Sequence, residues 1–450
     1  MKKNIIITLL LICSIGVAAA QTTLKTAYFM DRMTTRHELN PALMNEYGYF
    51  AIPALGDINV GINSNLSIDK LLFPMDNGTL ATFAHPDVDS AEFLDGLNNN
   101  NTISQDFSLQ VLGFGFHAWG GYNTFDISVR EKLSMNLPKS LFEFLVGGTS
   151  GSSYDMAGIG LDVNAWAELA LGHSRRINDN LTVGAKVKYL VGAANANLEI
   201  DKMYFSSNSK ELMLNLNAVG NAAITGFPLV GAVDDIAFDE FDMSSGLSSG
   251  LGIDLGATYE WEDFTFSLAL TDLGYIRWKN PSTITLGDSI NFSGFSSLDF
   301  DDFEGSTEND LSAFEDFGSD FGDAEFSSKG EYTTYLDANL NIGAEYKIYD
   351  CLSAGALWTT TFGIATTTEF MLVGTYSPAS WFDIAVSGTA SSYGTYCGFA
   401  MNICPRWINF FIGTDCMVRG VNSSYIPYNS SNFNLKFGLS IPLGKLYAAN

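Results

Sequence analysis

Leu181-Thr182-Val183-Gly184-Ala185-Lys186-Val187-Lys188-Tyr189-Leu190-Val191 reads as two faces of one extended chain. Leu181, Val183, Ala185, Val187, Tyr189 and Val191 fall on one side, with Thr182, Gly184, Lys186 and Lys188 on the other. A period of two is a strand, and a strand with lysines opposite an unbroken apolar row wants water on one face and lipid on the other. The stretch 331–347 repeats the split: Tyr332, Thr334, Leu336, Ala338, Leu340, Ile342, Ala344 and Tyr346 oppose Glu331, Asp337, Asn339, Asn341, Glu345 and Lys347. A soluble sandwich would give shorter strands and fewer interior charges. The reading is all-β, a transmembrane antiparallel up-and-down β-barrel.

The flanks of the chain agree. Lys2 and Lys3, an apolar run from Ile5 to Ile12 and Ala18-Ala19-Ala20 before Gln21 form a secretory signal over 1–20, leaving 47–450 for the barrel after a short leader segment at 21–46. No later run approaches the roughly 18–20 apolar residues of a spanning helix. A secreted chain that crosses with strands belongs in the outer membrane of a Gram-negative cell, with outer-membrane lipid as its surroundings. Once the signal lysines are removed, 21 basic residues face 50 acidic ones, a net charge near −29, which makes nucleic acid a poor partner. Much of the excess sits at 233–242 and 299–325, in loops rather than along strands.

Short turns of such barrels face the periplasm and long loops face outward. Short links fall at Gly120-Gly121, Arg176–Asn180, Glu262-Asp263, around Tyr349-Asp350, Ser377–Ser380 and Pro405–Trp407. They predict about fourteen strands, near 48–64, 105–118, 122–134, 156–174, 181–198, 248–260, 264–278, 331–347, 352–363, 367–376, 381–390, 396–404, 408–419 and 431–443. Both termini are then periplasmic, and the extracellular loops are 65–104, 199–247 and 279–330. The segment 201–217 is either loop or a hairpin above the membrane. In 105–118 the apolar set passes from Phe107, Leu109 and Val111 to Leu112, Phe114 and Phe116, and that change of phase predicts a bulge.

Three features carry a resemblance: His37-Glu38-Leu39-Asn40-Pro41-Ala42-Leu43, Leu270-Thr271-Asp272-Leu273-Gly274-Tyr275-Ile276-Arg277-Trp278, and the Gly-x-x-Tyr segments Gly256–Tyr259 and Gly343–Tyr346. The chain resembles an uncharacterised family of outer-membrane barrels from Bacteroidota, itself similar to the FadL long-chain fatty-acid transporters and the PorV-type barrels of type IX secretion. The FadL resemblance implies fourteen strands and an N-terminal hatch inside the lumen, with Asn40-Pro41-Ala42 where the hatch turns. It does not by itself imply fatty-acid transport. Read separately, Asn40 is a good helix N-cap and Pro41 a good first helical residue, so a short helix is expected from 41. Arg36, His37, Asn40, Pro41 and Ala42 then belong to either a movable plug or a rigid stopper.

The predicted lumen is charged. Asp126, Arg130 and Lys132 share one strand, Asp162, Asn164, Trp166 and Glu168 another, followed by Lys186, Lys188, Asp254, Asp337, Asn339, Glu345, Asp415, Arg419 and Lys436. Glu168 lies near the register of Lys186 and Lys188, which predicts that these pair. The lumen is then either a packed, ion-paired interior or a polar conduit with any hydrophobic pocket higher, beneath the loops. There, Leu71, Leu72, Phe73, Leu80, Phe83, Phe93, Leu94 and Leu97 suit short helices capping the mouth. Leu311, Phe314, Phe317 and Phe321 mark an acidic amphipathic helix.

Cofactor chemistry finds little. Asp299, Asp301 and Glu304 lack the third ligand and glycine of an EF-hand loop, so no metal or cofactor is expected. His37, His85, His117 and His173 are scattered and no hydrolase or phosphate-loop motif is present, so an enzyme is not expected. Cys397 and Cys416 oppose each other, a possible disulfide, if their turn centres on Arg406-Trp407; a turn centred on Pro405-Arg406 abolishes the pair. The sequence leaves two roles open: uptake of a hydrophobic or amphipathic small molecule, or a closed barrel that docks a secretion or cell-surface protein.

Overall fold

The computed structural model describes residues 23–66, 70, 72–75, 80–83, 85, 88–147, 153–208, 213–225, 229–230, 237–238, 248–279, 282–286, 290–292, 325–327, 330–363, 366–417 and 432–444. Fourteen strand positions make the wall. β1 is split into Gly48–Ala51 and Ile58–Ser64; then come β2 Asn100–Ala118, β3 Gly121–Pro138, β4 Gly160–Arg176 and β5 Leu181–Asn208. β6 is Ser248–Trp261, β7 Phe264–Lys279, and β8 is split into Glu331–Tyr335 and Ala338–Tyr349. β9 Leu352–Phe362, β10 Thr367–Ala379, β11 Phe382–Ser391, β12 Gly394–Ile403, β13 Asn409–Thr414 and β14 Phe433–Leu443 complete it. Every neighbouring pair is antiparallel, and β14 closes on β1 with Gly48 opposite Leu443 and Ile58 opposite Phe437. Closure removes the open edges that a membrane does not tolerate.

Alternation sorts the side chains as the sequence requires. Leu171, Val187, Leu251, Leu268, Leu372 and Val386 stand 50–57% exposed on the outside, while Glu168, Lys186, Lys188 and Asp254 are buried inside. An apolar surface of that extent is stable only against lipid. Trp119, Trp261, Trp381, Trp407 and Tyr349 are exposed beside the short links and form an aromatic rim at that end. The expected short links are all at this end, as are the two ends of the wall at Gly48 and Leu443. The opposite end carries the long connections, yet also two short ones, 363–366 and 392–393.

The phase change in β2 is a bulge: Gln110 faces Ser128 and Leu112 faces Ile127, so Val111 has no cross-strand partner. Against it lies the break in β1 that the sequence did not indicate. Gln110 N donates to Asp57 O at 2.8 Å and Ala54 N to Val111 O at 3.3 Å. The described residues of 201–217 are the two arms of a hairpin. β5 runs on past the wall and turns back as Met213–Thr225, on which Ser282–Leu286 and Ile290–Phe292 pair in turn. Beneath the loops, Leu66, Phe93, Leu97 and Phe142 form a small core with Phe73, Phe83 and Leu94 packed on it. Helices Ser90–Asp95, capped by the Asp89 carboxylate, and Lys139–Gly147 carry part of it. The acidic helix expected around 311–321, the Asp299–Glu304 cluster, Arg419 and the signal segment lie outside the described residues.

Candidate functional site

Inside the wall lies residues 23–46, two 3₁₀ turns, Lys25–Ala27 and Arg36–Glu38, joined by irregular chain. The helix expected from Pro41 is not formed. Asn40 does use its side chain as a cap, accepting from Ala42 N at 2.9 Å, but the chain closes an Asx turn and runs on to β1. The wall explains this. Gly184 of β5 and Gly256 of β6 face each other directly, and a Cβ on either would collide with Asn40 or Pro41. The Asn-Pro backbone lies in the groove those glycines leave, where a helix radius would not fit. Asn40 also donates to the Tyr28 hydroxyl at 3.1 Å, and Asn341 Nδ2 donates to Leu39 O at 2.9 Å. The glycine of the second Gly-x-x-Tyr segment, Gly343, lies against Ser267 of the wall, with Tyr28 and Phe29 packed more loosely over it.

Ion pairs fasten this segment to the wall. Lys436 Nζ on β14 lies 2.6 Å from Glu38 Oε2 and 2.8 Å from Asp57 Oδ2. Burial alone would push the Glu38 carboxyl up; the Lys436 ammonium, with His37, Arg130 and Lys186 nearby, outweighs it and holds Glu38 well below the usual carboxylate range. Lys25 Nζ meets Glu369 at 2.6 Å, and Arg32 meets Asp383 at 2.6 Å. His37 lies with Nδ1 2.8 Å from Thr34 O and Nε2 3.1 Å from Asp126 Oδ2, so its ring faces two acceptors. Arg36 turns back on the segment itself, to Asp31 at 2.8 Å and Met44 O at 3.0 Å. Apolar packing adds the rest: Leu24, Ala27, Phe29, Met30 and Met33 sit on Leu357, Met371, Val373, Ala385, Ala400 and Phe411 of β9–β13.

Above the segment, toward the long loops, the lumen charges pair differently from the expected Glu168–lysine contacts. Glu168 faces Arg130 at 3.3 Å instead. Lys186 reaches Asp126 at 3.6 Å, and Lys188 reaches Asp254 at 2.8 Å and Asp272 at 2.5 Å. A register break causes the exchange. Ile253 faces Leu273 while Leu255 faces Leu270, so Asp254 opposes a two-residue bulge, and Asp272 adopts a left-handed φ of 58° with its N–H on Asp254 Oδ1 at 2.7 Å. The Leu-Thr-Asp-Leu-Gly motif is that bulge, and it places two carboxylates on one lysine. Lys132 is held by Asp337 and, at 4.0 Å, by Asp106. Sequence parity located most of these lumen residues; it missed Asp106 and Asp272 here and Lys25, Glu369, Asp57 and Asp383 around the segment.

Two cavities flank the segment. The upper one, about 90 Å³, is lined by Lys25, Asp106, Arg130, Lys132, Asp162, Trp166, Asp337 and Tyr393 among others. The lower, about 390 Å³ at the short-link end, is lined by Asp31, Arg32, Arg36, Glu345 and Lys347 with further turn residues. Glu345 and Arg36 therefore belong to the lower cavity and Asp162 and Asp337 to the upper. The histidines outside the segment have modest partners: His117 Nε2 lies 3.1 Å from Asn45 O and His173 Nδ1 2.9 Å from Asn123 Oδ1. The cysteine register is the one centred on Arg406-Trp407, with Phe399 opposite Thr414, yet Cys397 and Cys416 remain free thiols. β13 ends at Thr414, and beyond it Asp415 turns inward to accept from the backbone N–H groups of Lys25 and Thr26 at 2.9 and 2.7 Å. Cys416 is buried with it while Cys397 faces outward.

A closed fourteen-strand barrel with its lumen occupied by its own N-terminal segment defines the class of protein. Residues 41–415 match the model of a family of unknown function, DUF5723, and the chain belongs to that family. No curated protein matches it significantly in sequence. Among solved structures it is similar to the Ralstonia pickettii toluene transporter TbuX, at 11% identity and a TM-score of 0.40, over 91% of this chain and 93% of that one. A Pseudomonas aeruginosa FadL homologue is similar at 11% identity and 0.40, over 95% and 99%. The Pseudomonas putida toluene transporter TodX is similar at 9% identity and 0.37, over 95% of each.

Proposed function

We propose that this is an outer-membrane barrel that admits a small hydrophobic or amphipathic molecule past a movable hatch. Residues 1–20 are a signal, 21–46 the hatch and 47–450 the barrel, with the short links and both termini in the periplasm. The observation that carries this reading is the pair of cavities, about 90 and 390 Å³, separated only by a segment that makes no strand pairing with the wall. An element held by side chains and by one glycine seat can leave without unzipping a strand. The chain does no chemistry on what it passes.

A closed barrel that docks a secretion or surface protein is the second reading, favoured by the buried ion pairs of Glu38 and Lys25. Native mass spectrometry on the barrel, extracted gently from its own membrane, separates the two. Retained amphiphile mass is the expected result. A bare barrel, or one carrying only a second protein, overturns uptake in favour of docking.

A further inference from the structure

Thr23, the first described residue of the hatch, lines the upper cavity together with Lys25. A cut after Ala20 leaves two residues ahead of Thr23, a reach of at most about 7 Å. The new chain end is therefore tethered beside this cavity, and its α-amino group is mostly charged at neutral pH. Two acceptors in the cavity wall lack donors. Asn63 of β1 faces Ser104 of β2, so Asn63 and Asp106 are diagonal neighbours on the inward face, about 7–8 Å apart. Both line the cavity and both are more than nine-tenths buried. Among the described residues Asn63 Oδ1 has no partner. The Asp106 carboxylate makes no hydrogen bond with them either, and its one ion pair is with Lys132 at 4.0 Å, an ammonium that Asp337 holds more closely.

Charge and volume point the same way. Four carboxylates and three cations line the cavity, and two of those cations also hold carboxylates outside it, Lys25 with Glu369 at 2.6 Å and Arg130 with Glu168 at 3.3 Å. Among the described residues the lumen is thus short of positive charge where the chain end arrives. A space of about 90 Å³ suits an ammonium group and excludes the apolar leader that includes Ile5 to Ile12. An ammonium has three N–H donors and can meet both acceptors at once, with charge assistance at Asp106. In the uncut chain the same nitrogen is an amide with one N–H and no charge.

We propose that the α-ammonium of Gln21, freed when the signal is cut, is bound in the upper cavity by Asp106 and Asn63, so that the hatch seats fully only in the processed chain. The proposal rests on the signal and hatch of the uptake reading and not on passage. The test takes the folded barrel from its own membrane in detergent, treats it with acetic anhydride at neutral pH and maps the labelled amines by peptide mass spectrometry. The Gln21 amine should react about tenfold or more slowly than in the same chain unfolded in guanidinium chloride, the worth of a charge-assisted hydrogen bond. Asp106→Asn should recover most of that rate while Lys25 stays protected. Equal rates in the folded and unfolded wild type, an unchanged rate in D106N, or a Gln21 already closed to pyroglutamate would each overturn the site. If D106N fails to fold, Asn63→Ala, which should also speed labelling, decides in its place. Hydrogen exchange over 24–45 compares the mature chain with the uncut chain 1–450, each refolded in detergent. The uncut chain should exchange at least about tenfold faster there; equal protection overturns the dependence on processing. The native barrel's own N-terminus keeps the two ideas apart. A barrel still carrying residues 1–20 sinks the signal reading and the site with it, whereas one that begins at Gln21 with a freely reactive amine sinks the site alone.

Discussion

The two sides of the wall grip the N-terminal segment with a different balance of forces: ion pairs occur on both, Glu369 with Lys25 and Asp383 with Arg32 on one, but only that side adds a broad apolar core. On β9–β13 the inward residues are Leu357, Met371, Val373, Ala385, Ala400 and Phe411, and they meet Phe29, Met30 and Met33 as an ordinary apolar core. On β3–β8 and β14 the grip is polar: Asp126 on His37, Asn341 on Leu39 and Lys436 on Glu38, with the glycine pair 184 and 256 receiving Asn40 and Pro41. Apolar packing holds anything of the right shape, whereas the glycine seat and the directional polar contacts hold one register. The glycine seat and its ion pairs therefore set where the hatch sits, and the apolar side supplies much of the affinity.

The largest effect should come from filling the seat. Gly184→Val combined with Gly256→Val places a side chain where Asn40 and Pro41 lie, and should raise single-channel conductance in planar bilayers from closed to continuously open. Unchanged conductance would mean that the apolar side alone keeps the lumen shut. Next, Lys436→Met leaves Glu38 and Asp57 buried without their cation, costing roughly 3–5 kcal/mol of hatch stability, read as faster hydrogen exchange over 24–45. Phe29→Ala on the opposite side should cost about 3 kcal/mol by the same readout, without raising exchange around Asn40 if the two sides are independent. Arg32→Ala takes the partly exposed cation from a buried Asp383 and should cost about 1–3 kcal/mol.

The smallest effect is that of acid. Glu38 sits below the usual carboxylate range in the folded state, so its contribution is complete above the unfolded value of about 4.3 and is lost as pH falls from there through the folded one. The share of protection that Glu38 supplies should therefore be level across neutral and mildly acid pH and decline only in strong acid. A decline near neutrality would show that another group governs the latch.

The same asymmetry explains what could be read from the residues alone. On β4 and β5 lysines and carboxylates alternate with lipid-facing leucines and valines, so parity placed Glu168, Lys186 and Lys188 correctly on the inner face. On β10 both faces are apolar, with Met371 and Val373 inward and Phe370 and Leu372 outward, because the inner face is covered by the hatch rather than by water. Parity carries no information there, and Glu369 and Asp383 went unnoticed as partners of Lys25 and Arg32. The bulge at Val111 was legible because an inserted residue inverts the pattern in place. The turn at Asn40 was not: its capping chemistry is local, but the choice between helix and turn was made by two glycines far along the chain. The bulge that pairs Lys188 with Asp272 does leave a mark on alternation, since the outward set passes from Phe264, Phe266 and Leu268 to Leu273 and Tyr275, but its consequence for the inward carboxylates was not drawn from the residues.

One strand, β5, carries both the seat and the crest. It runs from Leu181 to Asn208, 28 residues without a break, or about 90 Å at the usual rise per residue, although only about 9–11 residues are needed to cross the bilayer. Gly184 lies near one end of that length, and the hairpin with Met213–Thr225 stiffens the other. Mechanically it is a single beam with its pin at the foot. A load applied to the crest is delivered along one continuous backbone to the groove that holds Asn40 and Pro41.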